Sequence, residues 1–184
     1  MVDKIIDQRL LDQHREQAAA ALDLVPQDVP MGTRMFNAFC RLGVSPCVEA
    51  VVLRRNSGAI EVLMTQRSMN ETAYPGEWHC PGTMFRPMES VDDAFARLEK
   101  KELGLEITMH CFCGIVNHTQ EVRGHCLSLV FVCSIEGAPE KGQWFNVDRL
   151  PKETVSHHRE PIIPMAVAAY IDGPQKNQVE IIER

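Results

Sequence analysis

Apolar positions along the chain shift between helical and strand-like spacing, and the shifts predict its elements. From Asp3 to Leu24, residues Ile5, Ile6, Leu10, Leu11, Ala18, Ala21, Leu22 and Leu24 recur at roughly helical intervals among Gln, Arg and Glu. The pattern predicts an amphipathic arm. Val25-Pro26 ends it, and Pro30, Gly32 and Asn37 predict a loop beyond. The arm's stripe can cover the sheet of its own chain or that of a second copy, the latter giving a homodimer. Strands are expected at Val48 to Leu53, Ile60 to Thr65, Met109 to Val116 and Leu127 to Ile135, all rich in β-branched or apolar residues. Arg55-Asn56-Ser57-Gly58 reads as the hairpin turn between the first two. Ser68 to Phe85 reads as a loop, Trp144-Phe145 as a short strand, and Pro161 to Ile171 as a last helix.

The segment from Ser90 to Leu103 predicts the best-marked helix. Ser90 is a good N-cap, Asp93 stands in capping-box position, and Gly104 supplies the stop. Val91, Ala94, Phe95, Leu98 and Glu102 fall along one side, so a carboxylate shares the apolar face and needs a partner there. Strands and helices intermix without regular βα alternation. The expected class is therefore α/β in the α+β sense, a mixed sheet packed between helices with an N-terminal helical arm. The expected division is an arm and linker over residues 1–34 and one domain over 35–184.

Composition narrows the function classes. With 45% hydrophobic and 24% charged residues in 184, the chain reads as one soluble globular domain. A formal net charge of -6 offers no clustered basic surface, so neither nucleic acid nor an anionic membrane is an expected partner. No apolar run approaches the ~18 residues of a membrane span, and residues 1–7 carry charge where a signal peptide would be apolar. The expected location is the cytoplasm. Seven cysteines in no framework spacing read as free thiols in that compartment. Three follow a histidine (His79-Cys80, His110-Cys111, His125-Cys126), yet without the paired spacing of structural zinc ligands.

The stretch from Gly76 to Leu105 resembles a Nudix box, whose pattern runs glycine, five residues, glutamate, seven residues, then Arg-Glu-apolar-any-Glu-Glu-any-Gly-apolar. Glu89, Arg97, Glu102, Gly104 and Leu105 set the register, and Pro81-Gly82 precedes them as in the family. Three positions depart. Thr83 stands at the box glycine, Leu98 replaces the first glutamate after the arginine, and Lys101 replaces the first of the later pair. The resemblance implies a Mg²⁺- or Mn²⁺-dependent hydrolase of a small diphosphate-linked substrate, with Glu89 and Arg97 as structural residues of the box.

The run Arg97-Leu98-Glu99-Lys100-Lys101-Glu102-Leu103-Gly104-Leu105 is similar to that of the GDP-mannose mannosyl hydrolase branch. That likeness implies Glu102 and the Gly82 carbonyl as metal ligands and Arg67 as a phosphate-binding residue. Such a sparse donor set suits Mg²⁺, which commonly takes one or two carboxylates and completes its shell with phosphate and water. Met84 occupies the place of a second phosphate arginine, and Ala138-Pro139 that of the branch's Gln-His pair, so no catalytic base carries over. His118, His157 and His158 could serve as bases, although the sequence favours hydrated loop histidines. Isopentenyl diphosphate isomerase has a comparable helix end, but its cysteine and histidine positions fall on Gly82 and Met84. The alternative to a hydrolase is a catalytically inactive binding or sensor module.

Overall fold

The computed structural model describes residues 7–27, 29–173 and 180–183. Helix α1 (Gln8–Leu22) starts at Asp7, whose carboxylate accepts the Arg9 and Leu10 N–H groups at 3.0 and 3.4 Å. None of its residues is buried, so over this span the stripe does not cover the sheet of its own chain. Residues 1–6 of the expected arm lie outside the described residues.

A second helix, α2 (Gly32–Leu42), occupies part of the expected loop. The reason is position: Gly32, at φ +70°, stands at the first helical residue, where a breaker costs little, and Pro30 lies outside. The 34/35 division therefore runs through the first turn of α2. Cys40 near its end is buried, and Gly124 (φ +133°) lies so close to the Cys40 carbonyl that no Cβ would fit.

The strands are β1 (Val44–Asn56), β2 (Ala59–Gln66), β3 (Trp78–His79), β4 (Gly82–Met84), β5 (Ile107–Glu121), β6 (Gly124–Ile135), β7 (Gln143–Asn146) and β8 (Glu180–Glu183). They run in the order β3-β2-β1-β6-β5-β8, with β4 beside β1 and β7 beside β2. β1–β6 and β5–β8 are parallel and the other pairs antiparallel, giving the expected mixed sheet. Ser57 and Gly58, both at positive φ, turn β1 into β2. β3 and β4 fall inside the stretch expected as loop; strands of two and three residues are too short to show an alternating pattern.

Alternation along β1 supplies both faces of the core. Val48, Ala50 and Val52 pack with Leu63 against Ala94, Phe95 and Leu98 of α3 (Val91–Leu98). Val51 and Leu53 point the other way, with Val62 and Met64, toward Ile163, Met165 and Ala166 of α4 (Ile163–Asp172). The sheet is thus packed between helices. The expected Ser90–Leu103 helix is α3 plus one wider turn, Glu99–Leu103, closed by the Gly104 N–H on the Glu99 carbonyl at 2.9 Å. Gly104 then leaves the helix at φ +69°. The last helix begins later than expected, at Ile163, because Glu160 is extended (φ -148°, ψ 121°) and interrupts the irregular turn His158–Ile162 before it.

Candidate functional site

One edge of β1 is shared by two partners. β4 pairs with Cys47–Glu49 and β2 with Leu53–Asn56, while β6 takes the other edge. The gap between β4 and β2 is a notch, and the box helix packs on the face of β1 through Val48, Ala50 and Val52.

The start of the helix is saturated with local bonds. The Asp93 N–H donates to Ser90 Oγ at 3.1 Å and the Ser90 N–H to Asp93 Oδ2 at 3.0 Å, completing the capping box. One turn on, Arg97 grips Glu89 with two bonds of 2.7 Å, donates to the Met84 carbonyl at 2.8 Å, and reaches the Thr83 hydroxyl. Glu89 Oε2 also takes the Arg86 N–H at 2.9 Å. The Arg97 guanidinium holds the Glu89 carboxyl below its usual range. Thr83, at the box glycine position, lies in extended β4, where a side chain is tolerated and its hydroxyl serves Arg97.

The end of the helix is different. Leu98 and Leu103 are fully buried, so the first lost glutamate has become core. Lys101 is exposed, and its carbonyl accepts Lys141 Nζ at 3.1 Å. Glu102 Oε2 is buried with no hydrogen-bond partner. Burial pushes the Glu102 carboxyl up, opposed by the Lys101 charge, the Gly82 N–H and the charges of Arg67 and Lys141.

Register explains how Gly82 meets Glu102. The Phe85 N–H donates to the Pro46 carbonyl and the Ala50 N–H to the Pro81 carbonyl, so Glu49 and Gly82 form a non-hydrogen-bonded pair. The N–H and carbonyl of Gly82 therefore both point away from β1, toward the side from which Glu102 approaches. On the sheet's face, a Cβ at Gly82 would strike Glu49 Oε2 and lie 3.1 Å from the Val48 carbonyl.

Glu49 was not singled out in the sequence. It is 7% exposed, and its Oε1 accepts from Cys47 Sγ at 3.5 Å and Ser128 Oγ at 3.3 Å. Burial pushes its carboxyl well above the usual range, with the Cys126 and Glu102 charges adding to the shift and the Cys47 and Ser128 bonds opposing it. A lone acid in the apolar run Cys47 to Leu53 is the signal that could have found it.

The histidines expected as hydrated loop residues are not so. His118, on β5, is buried, as is His158, and His157 is half-buried between them with ring centroids 4.8 and 4.7 Å away. His158 Nδ1 accepts the Cys80 N–H at 3.1 Å, which puts the ring proton on Nε2, 3.9 Å from Glu49 Oε2. Burial first, then neighbouring positive charge, lowers His79 and His157 to about 4 and His158 further. His79, His157 and His158 are thereby held toward their neutral forms.

Arg67 ends β2 and holds the following loop, donating to the Ala73 carbonyl at 3.0 Å and to Glu71 Oε2 at 3.2 Å. Its charge nevertheless acts on Glu102, His79, His157 and His158. Among the described residues no three His, Cys, Asp or Glu side chains come together as a metal centre. All seven cysteines are free thiols.

Against this geometry, the family model described as NUDIX domain matches residues 46–165. The chain belongs to the Nudix family. No curated protein matches it. Among solved structures, this Nudix domain is similar to the MutT protein from Methanosarcina mazei Go1, with 19% identity and a TM-score of 0.58 over 68% of this chain and 94% of that one. It is also similar to an ADP-ribose pyrophosphatase from Streptococcus suis 89-1591, at 17% identity and a TM-score of 0.52 over 76% and 98% of the chains. A third likeness is Shewanella oneidensis NrtR, solved with a 27mer DNA, at 16% identity and a TM-score of 0.56 over 68% and 62%. At these identities the likeness is one of fold. No helix of the described residues is long and apolar enough to cross a membrane.

Proposed function

We propose that this Nudix domain is a Mg²⁺- or Mn²⁺-dependent hydrolase of a small molecule linked through a nucleoside diphosphate. The observation that carries the proposal is Glu102 Oε2, a buried carboxylate oxygen without a hydrogen-bond partner, on a carboxyl that the Gly82 N–H acts on. A buried anionic oxygen left bare is costly unless a cation or donor meets it. The donor set fits a hard divalent ion, since carboxylate and carbonyl oxygens are what such ions take, and few protein ligands leave positions for phosphate oxygens and water. When bound, the ion would polarise the phosphoryl group and water. The chain's own part is to hold Glu102 and Gly82 in place through the Arg97–Glu89 clamp, and to exclude water through the buried Leu98 and Leu103. Arg67 would meet substrate phosphate only by loosening its hold on Glu71. The sugar-nucleotide branch is supported by the Arg97 to Leu105 run alone. Absence of nucleic acid and membrane partners, and a cytoplasmic location, rest on net charge and composition.

A second reading is favoured by Leu98, whose burial means that its carboxylate was replaced by core rather than by another acid. In that reading the domain binds a diphosphate compound without cleaving it. Product analysis by mass spectrometry of nucleoside diphosphate sugars and dinucleotides incubated with Mg²⁺ or Mn²⁺ tests the two. Cleavage lost in Glu102→Gln supports the hydrolase. Binding of adenosine α,β-methylene diphosphate without any cleavage supports the module.

A further inference from the structure

We infer that Glu49, on β1, is the second carboxylate of the cation site, taking over from the acids missing at Leu98 and Lys101. This rests on the proposed cation site at Glu102. Three observations bring Glu49 there. Its register partner is Gly82, and as a non-hydrogen-bonded pair the two residues stand at the shorter cross-strand spacing. Its Oε2 fills the space a side chain at position 82 would need, so the absence of that side chain is what lets the carboxylate approach the backbone that Glu102 also approaches. Its other oxygen is already committed, with Cys47 and Ser128 donating to Oε1. The side chain is thereby held by one oxygen with the other aimed at Gly82.

The buried Glu49 and the half-buried Glu102 repel each other when both are ionised, and a divalent cation between them turns that repulsion into ligation. The Lys101, Arg67 and Lys141 charges offset only part of the burial at Glu102, whose carboxyl is still pushed up. His158 Nε2 stands 3.9 Å from Glu49 Oε2, and its ring is occupied on the other side by the Cys80 N–H. That bond fixes the residue two before Gly82, so His158 acts as a positioning residue for both the loop and the acid. A glutamate from β1 also explains how the box can lose two acids and still retain Glu102, Gly82 and Arg97. The second carboxylate comes from a strand rather than from the helix.

The test is Mn²⁺ binding, read as loss of the free-ion electron paramagnetic resonance signal, for wild type, Glu49→Gln and Glu102→Gln, each with and without adenosine α,β-methylene diphosphate. Circular dichroism melts establish that each variant is folded. If Glu49 is a ligand, Glu49→Gln weakens Mn²⁺ binding at least about tenfold, as ligand-shell losses do. Glu49→Asp, which keeps the charge but draws it back from Gly82, recovers part of the affinity and covers the case in which the glutamine variant does not fold. Unchanged Mn²⁺ affinity in folded Glu49→Gln, with loss in Glu102→Gln, overturns the role of Glu49 and leaves the Glu102 site standing. Unchanged affinity in both variants overturns the cation site itself, and the role of Glu49 with it.

Discussion

The two ends of the box helix carry the same kind of residue to opposite effect. At its start Glu89 is fully bonded, gripped by Arg97 at 2.7 Å through both oxygens and capped by the Arg86 N–H. At its end Glu102 has an oxygen buried without a hydrogen bond. Within one helix and its entry loop, one glutamate is spent on holding the chain and the other is left unspent. The contrast separates framework from function by bonding alone: an acid whose acceptors are all filled can do nothing further, while a bare buried one is retained at a cost and needs a ligand.

The largest expected effect comes from breaking the framework end. Arg97→Ala leaves Glu89 without its partner and removes a donor from Thr83 and Met84, and since both side chains are mostly buried it should cost about 3 kcal/mol in denaturant unfolding. A loss below about 1 kcal/mol would mean that the clamp is ornamental and the contrast between the ends false.

Acid should next distinguish the notch from the clamp. His79 and His157, lowered from 6.5 to about 4, are neutral in the folded protein but protonate readily once unfolded. Their contribution is present above pH 6.5 and lost as pH falls from 6.5 toward 4, because the unfolded state binds more protons there. The groups facing His157 are His118, His158, Tyr74, Glu121 and Arg67, and of these Glu121 alone favours its protonation. Glu89 is lowered below 4.5, so the clamp's contribution persists until pH falls below that value. Side-chain NMR should therefore record the histidine cluster opening before the Arg97–Glu89 contact. The reverse order would show that the notch is no weaker than the framework.

Ser90→Ala should cost about 1 kcal/mol by removing the cap on Asp93, measurable by thermal melting. Smallest of all, Glu102→Gln should leave stability within about 0.5 kcal/mol of wild type or raise it, since the amide buries more cheaply than a carboxylate without a partner. A large loss on that substitution would move Glu102 into the framework and collapse the comparison.

Legibility follows the same division. Ser90, Asp93, the apolar stripe and Gly104 speak to neighbours within one turn, so the helix and its stop could be read from the sequence. The mixed sheet was readable for a like reason, from long apolar runs in β1, β5 and β6. What was hidden depends on distant partners. β3 and β4 exist because β2 and β1 offer edges, and α2 forms although Gly32 and Asn37 look like breakers. Glu49 sits unremarked in an apolar run because its partners, Gly82 and Ser128, come from other strands. His158 looked like a loop residue because nothing nearby announces that Cys80 will donate to it.

Because the Cys40 carbonyl occupies the space a side chain at Gly124 would need, α2 and the β5–β6 turn are expected to open as one unit. In deuterium exchange the last turn of α2 and the amides around Gly124 should share a common protection, set by one local unfolding event. The exposed α1 should exchange earlier and independently. A protease that clips between α1 and α2 would then release the arm while leaving α2 seated on the sheet.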